Sequence, residues 1–128
     1  MGEVKNLCQN EALDKLKELA EKIKVCMFCT KLGSPMIATR PMTMTSVDDD
    51  GKLWFLSSGD SNKNEDISKD EKVQLIFADP GSSQFLTIYG EADILTDAKS
   101  IEAAWTPLAK AWYPGGKDDI FVTAIKVH

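Results

Sequence analysis

Hydrophobic residues in the stretch 11–24, EALDKLKELAEKIK, recur at Leu13, Leu16, Leu19, Ala20 and Ile23, with lysines and glutamates between them. That spacing follows the helical turn and predicts an amphipathic helix packed on one side. The pattern then changes. Residues 25–30, VCMFCT, form a short apolar run of the buried-strand type, and KLGSP behind it supplies a turn. From 36 to 47 the chain alternates for longer than the usual strand of about 5 to 6 residues, which predicts a bent strand shared by two parts of a barrel. Residues 48–51, DDDG, turn the chain, and 52–56 return as the partner of a hairpin.

Residues 57–63, SSGDSNK, predict a polar loop that opens a short helix running to about Lys69, capped by Ser61 or Asn62 with Glu65 in its first turn. Further strands are expected at 73–79 and 85–95. Gly90 interrupts the second, as glycines do at bulges and barrel corners. Residues 97–112 read as helical, broken near Pro107, and a loop, YPGGKDD, precedes a last strand at 120–127. Six strands with few helices predict a mainly β protein with flanking helices, a six-stranded β-barrel formed by residues 1–128 as a single domain. A chain of 128 residues can bury such a core without disulfide or metal staples.

Charge narrows the function. The net charge of -5 and a pI near 4.8 argue against binding to nucleic acid or an anionic membrane, because no basic patch stands out. Any anion must be held locally. No apolar run reaches the length of a membrane span, and the first residues are too polar for a signal peptide, so a cytoplasmic location is expected. Three cysteines without framework spacing suit a reducing compartment. Cys26 and Cys29 match C-x-x-C, yet on a strand residues three apart face opposite ways, which suits buried strand cysteines better than zinc or redox chemistry. The aspartate run lacks the glutamate that an EF-hand loop needs, Ser57 standing at its twelfth position. Gly115-Gly116-Lys117 is followed by Asp118 and a strand, so it is no P-loop. Trp105 and Trp112, seven apart, would share a helix face and read as core or subunit contacts.

Arg40 is the only arginine among the 15 basic side chains. By alternation it shares a face with Met36, Ala38, Met42 and Met44, where a guanidinium needs a carboxylate, a phosphate or carbonyl oxygens. Pro41 lacks an amide hydrogen, so the ladder opens beside Arg40 and backbone groups at Met42 and Met44 are freed for a flat ligand. Ser57 and Ser58 on the returning strand, then Ser61, Asn62 and Lys63 at a helix start, supply hydroxyls, a cation and amides suited to a phosphate. The competing reading is that Arg40 pairs with one of the 20 acids and the serines cap a helix.

The order TRPMTM, DDDGKLWFLSSGDSNKNEDISKDEKVQLIFADP, IYGEADILTD resembles the flavin-binding split barrel of the pyridoxamine 5'-phosphate oxidase superfamily, in particular its general stress protein branch. The tail IEAAWTPLAKAWYPGGKDD resembles that branch closely, and the likeness runs from about Leu13 to Val127. It implies a split barrel that binds FMN, or FAD, between the two subunits of a homodimer and exchanges electrons with a small-molecule donor or acceptor. On that likeness Arg40 contacts the phosphate, and the backbone of Pro41, Met42 and Thr43 runs along the flavin ring. Leu56, Ser57 and Ser58 touch the cofactor from the returning strand. Ser61, Asn62 and Lys63 stand at the phosphate loop, Asn62 replacing an arginine. Gln84 lies near a glutamine that reaches the other subunit's flavin, and Trp112 of the tail joins the cofactor set. The vitamin-oxidising enzyme has a lysine at the place of Thr45, with arginines and a histidine elsewhere for its substrate. Here Arg40 has no second arginine to accompany it and the one histidine is His128, so oxidation of pyridoxamine phosphate is not expected. A non-catalytic carrier or sensor of flavin is the alternative, and no acid, base or nucleophile stands out.

Overall fold

The computed structural model describes residues 9–59, 61–107, 113, 116 and 122–128. The first helix, α1 (Gln9–Ile23), buries Leu19 and Ala20 and half-buries Leu13, Leu16 and Ile23, the stripe that the periodicity predicts. It ends on Lys24, whose left-handed backbone (φ 65) lets its N–H bond the Ala20 carbonyl at 2.8 Å. The chain then enters β1 (Val25–Thr30).

Seven strands follow one another in the spatial order β2-β1-β5-β6-β7-β4-β3, every pairing antiparallel. They are β1, β2 (Ala38–Thr43), β3 (Ser46–Val47), β4 (Leu53–Ser58), β5 (Lys72–Asp79), β6 (Gln84–Leu95) and β7 (Val122–Val127). β2 and β3 are consecutive in sequence yet lie at opposite ends of that order. Met44 N–H bonds the Lys24 carbonyl at 2.8 Å on the β1 side, so it is not freed for a ligand as the proline suggested, and Thr45 N–H bonds the Trp54 carbonyl at 2.9 Å on the β4 side. One bent strand therefore spans both ends of a curled sheet, a half-barrel of the split-barrel type. The count is seven instead of the expected six, because the corner at Met44–Thr45 cuts the long strand in two.

The second bend is in β6, which pairs with β5 through Glu91 and with β7 from Ala92 onward. Gly90 stands immediately before the switch. A Cβ there would lie 2.8 Å from the His128 carbonyl oxygen, a backbone atom that cannot move aside, so the corner requires glycine.

Inside the curl, Phe28, Phe55, Phe77, Leu53, Leu75, Val73, Ile125 and Val127 are fully or nearly fully buried. A second cluster of Trp54, Ile101, Ala104, Val122 and Ala124 lies beneath α3 (Ala98–Ala104), which is capped by the Asp97 carboxylate accepting from Ser100 N–H at 3.1 Å. The break expected near Pro107 in a helix over 97–112 comes here, and 108–112 lie outside the described residues. Trp105 turns extended, and Pro107 both lacks an N–H and disfavours helical backbone before it. Two further boundaries differ. Ser57 and Ser58 belong to β4 and not to the loop, since their residues pair with Thr123 and Val122. β2 begins at Ala38, leaving Met36 and Ile37 exposed in the connection. In the aspartate turn, one Asp48 carboxylate oxygen accepts from Asp50 and Lys52 N–H at 3.0 Å each and the other from Trp54 Nε1 at 3.1 Å. Among the described residues no helix is long and apolar enough to cross a membrane.

Candidate functional site

Arg40 sits on β2 directly opposite Phe28 of β1, so its side chain shares the inner face and reaches along β1 toward Thr30. One guanidinium nitrogen, Nη1, donates to the Phe28 carbonyl at 3.3 Å and to Thr30 Oγ1 at 2.9 Å. The other, Nη2, faces Asp66 Oδ2 at 3.5 Å. Asp66 comes from α2 (Asn62–Lys69) and is buried. Thr30 Oγ1 donates to the same carboxylate oxygen at 2.8 Å, and Lys31 Nζ lies 3.7 Å from the other. Arg40 therefore does have an acidic partner.

Ser61 caps α2, its side chain accepting from Asn64 N–H at 3.3 Å. Lys63, in the first turn, is half-buried. Burial, and after it the charge of Arg40, draws its ammonium below the usual lysine range. Two cations are thus crowded where α2 begins. A cavity of about 360 Å³ opens here, lined by Lys31, Ala38, Arg40, Asn62, Asp66 and the exposed pair Glu65 and Lys69, with Lys63 outside the lining.

A second cavity, of about 770 Å³, continues along the same strand from the next residue. Pro41, Met42, Thr43, Met44, Thr45 and Leu56 line it from the sheet, with Thr106, Pro107 and Tyr113 from the region after α3. Its one charged lining residue among those described is Lys24. A concave, mainly apolar space bordered by a cationic one suits a flat ring that carries a phosphate. The donor set is compatible with FMN, whose phosphate Arg40 and Lys63 would hold while the Pro41–Thr43 strand flanks the ring.

Ser57 has another task. Its hydroxyl donates to Asn64 Oδ1 at 2.8 Å and lies 2.7 Å from Thr123 Oγ1, which itself accepts from Asn64 Nδ2 at 2.9 Å. This buried triangle ties the start of α2 to β4 and β7, so the Ser57 side chain holds the loop and lines neither cavity. Ser58 is half-buried and its carbonyl accepts from Ser61 N–H at 3.1 Å. Gln84 lines neither cavity; its Oε1 accepts from Lys22 Nζ at 2.6 Å and from Ser82 Oγ at 3.1 Å. Trp112 lies outside the described residues. Cys26 and Cys29 are both buried, and burial, with Cys29 close by, pushes the Cys26 thiol up to about 12, which leaves it a protonated core side chain at neutral pH.

The sequence pattern does not mark Lys24, Lys31 and Asp66, which line the cavities, or Thr30, which bonds Asp66. Lys24 and Lys31 bracket β1, both with left-handed backbone (φ 65 and 58), and each lines one cavity. Nothing in a lysine announces that conformation, which glycine or asparagine adopts more readily.

Residues 11–128 match the family of proteins described as pyridoxamine 5'-phosphate oxidase like, and the chain belongs to that family. Among solved structures, a protein of Clostridium acetobutylicum related to general stress protein 26 of Bacillus subtilis is similar at 28% identity. The match covers 94% of this chain and 84% of that one, with a TM-score of 0.79. The general stress FMN/FAD binding protein of Xanthomonas citri is 26% identical over 93% of this chain and 84% of its own, with a TM-score of 0.77. Protein bli-3 of Neurospora crassa is 26% identical over 100 residues, 71% of this chain and 48% of that protein. The chain thus spans about half the length of that curated relative.

Proposed function

We propose that this protein binds FMN, or FAD, across the two adjoining cavities and works as a flavin-dependent oxidoreductase on a small molecule. The observation that carries this is the gathering of Arg40, Lys63 and Lys31 at the start of α2, beside an apolar cavity that runs along Pro41–Thr43. The similarity to the Xanthomonas citri protein supports the choice of flavin. A bound flavin supplies one- and two-electron chemistry; the chain supplies the phosphate grip and a mainly apolar space for the ring. Fluorescence titration with FMN, riboflavin serving as the control without phosphate, should saturate near one FMN per chain and at lower concentration than riboflavin. Equal affinity for both would overturn a phosphate grip in the wild-type protein. Consumption of NAD(P)H with an added acceptor then separates catalysis from a carrier or sensor role.

The proposal includes a homodimer with the flavin sites at its interface. On the outer face of β2, β1, β5 and β6, the residues Thr39, Pro41, Thr43, Val25, Met27, Gln74, Ile76, Ala78, Phe85, Thr87 and Tyr89 are uncharged, and the charges there, Lys72 and Glu91, stand opposite each other at one end of the β5–β6 pair, in a chain that is 27% charged. Phe85 and Tyr89 are 64% and 73% exposed there, with Val25, Met27 and Ile76 beside them. A largely uncharged, partly aromatic surface of this kind suits an interface. Ile76→Glu should convert the dimer to a monomer by light scattering and weaken FMN binding. A wild-type protein that is monomeric throughout the range of concentrations at which FMN binds would remove the shared-site reading.

A further inference from the structure

The charges around the smaller cavity do not balance, and the imbalance concerns Asp66. Lys31, Arg40 and Lys69 line the cavity, and Lys63 lies close enough to Arg40 to feel its charge, against Glu65 and Asp66. Glu65 and Lys69 pair with each other at 3.1 Å on the exposed face of α2. That leaves three cations and one buried carboxylate. Asp66 is held by the Thr30 hydroxyl at 2.8 Å and spends its remaining capacity on Lys31 at 3.7 Å and Arg40 at 3.5 Å.

We infer that Asp66 is a built-in competitor for the ligand's phosphate, occupying the cations that would otherwise hold it, so that the phosphate is gripped loosely and exchanges. The inference rests on the flavin-phosphate reading. A phosphate entering beside Arg40 meets a like charge in a partly buried setting, where repulsion is poorly screened. The orientation of Arg40 does not need that charge. Nη1 is fixed by the Phe28 carbonyl and by Thr30 Oγ1, and Thr30 can donate to the amide oxygen of an asparagine as well as to a carboxylate. Asp66→Asn therefore subtracts a charge and keeps the shape. In the free protein the same change leaves three cations with no buried counter-ion, which costs stability. Affinity and stability should move in opposite directions.

The test is a titration of wild-type protein and Asp66→Asn with FMN and with riboflavin, alongside urea unfolding of both proteins without ligand. Expected is FMN binding tighter by at least about fivefold in the variant, riboflavin unchanged within about twofold, a lower unfolding midpoint, and a gain that shrinks as salt is raised. If the wild type prefers FMN to riboflavin and the folded variant prefers it no more, Asp66 is a structural partner of Thr30 and Arg40 and the inference fails. Where the wild type shows no preference for FMN, the flavin-phosphate reading fails for the wild-type protein. A preference emerging in the variant then still supports Asp66 as the suppressor of phosphate binding, and its absence overturns both. A variant too unstable to titrate is replaced by Asp66→Glu, which keeps the charge and should leave the FMN preference where the wild type has it; a rise there also counts against competition.

Discussion

Arg40→Ala should weaken FMN binding by about 1.5 to 3 kcal/mol, the value of a charged hydrogen bond lost to a ligand, which is roughly a 10- to 150-fold rise in Kd. Riboflavin, without the phosphate, should bind as before. The split between the two ligands is what assigns Arg40 to the phosphate, because a damaged fold would weaken both. Alanine also removes one of the cations facing Asp66, so some loss of stability is expected, Lys31 and Thr30 remaining as its partners. Arg40→Lys guards against a variant that fails to fold. It keeps a charge near the carboxylate but cannot reproduce the forked contact with Phe28 and Thr30, so FMN affinity should fall by less than in the alanine variant. Were FMN binding unchanged in a folded Arg40→Ala, the single arginine would serve the fold through Asp66 and hold no phosphate.

How much of this site was legible in the chain depends on the range over which each part is decided. Arg40 stood out because it is alone in kind and beside Pro41, and the Ser61 cap because capping chemistry is local, settled within three residues. The bent strand and the corner at Gly90 were readable for the same reason. Asp66 was not. In NKNEDISK it looks like one more acid on a solvated helix, and only the packing of α2 against β1 buries it under Thr30, 36 positions away. Ser57 misleads in the opposite sense. Beside Ser58 it resembles a ligand-binding hydroxyl, yet the pairing of β4 with β7 brings Thr123 against it and closes a buried network. The place where the long strand divides is likewise a matter of closure, since Met44 and Thr45 bond to opposite ends of the sheet.

Phe28→Ala should be the most damaging single change to the fold. Its side chain has 0% exposure, and its ring meets Phe55 edge-on, with centroids 5.3 Å apart and planes at 89°. Removing it deletes buried apolar surface, an aromatic pair and the atoms that fill the space between β1 and β4. Such truncations cost about 3 to 5 kcal/mol, against a whole-domain stability of about 5 to 15 kcal/mol. Urea unfolding should register a loss of that size, with little change in the slope of the transition. The exposed neighbour gives the comparison: Met27→Ala, with 39% exposure on the outer face of the same strand, should cost far less in the monomer. The consequence extends to the site, because the Phe28 carbonyl and the Thr30 hydroxyl are what hold Arg40. A β1 backbone loosened by the cavity should release the guanidinium, so the FMN preference over riboflavin should shrink in whatever fraction remains folded. A loss under about 1 kcal/mol would mean that Phe55 and Leu75 collapse into the space. In that case β1 is not the rigid rail that places Arg40, and the position of the arginine must be set by α2 through Asp66.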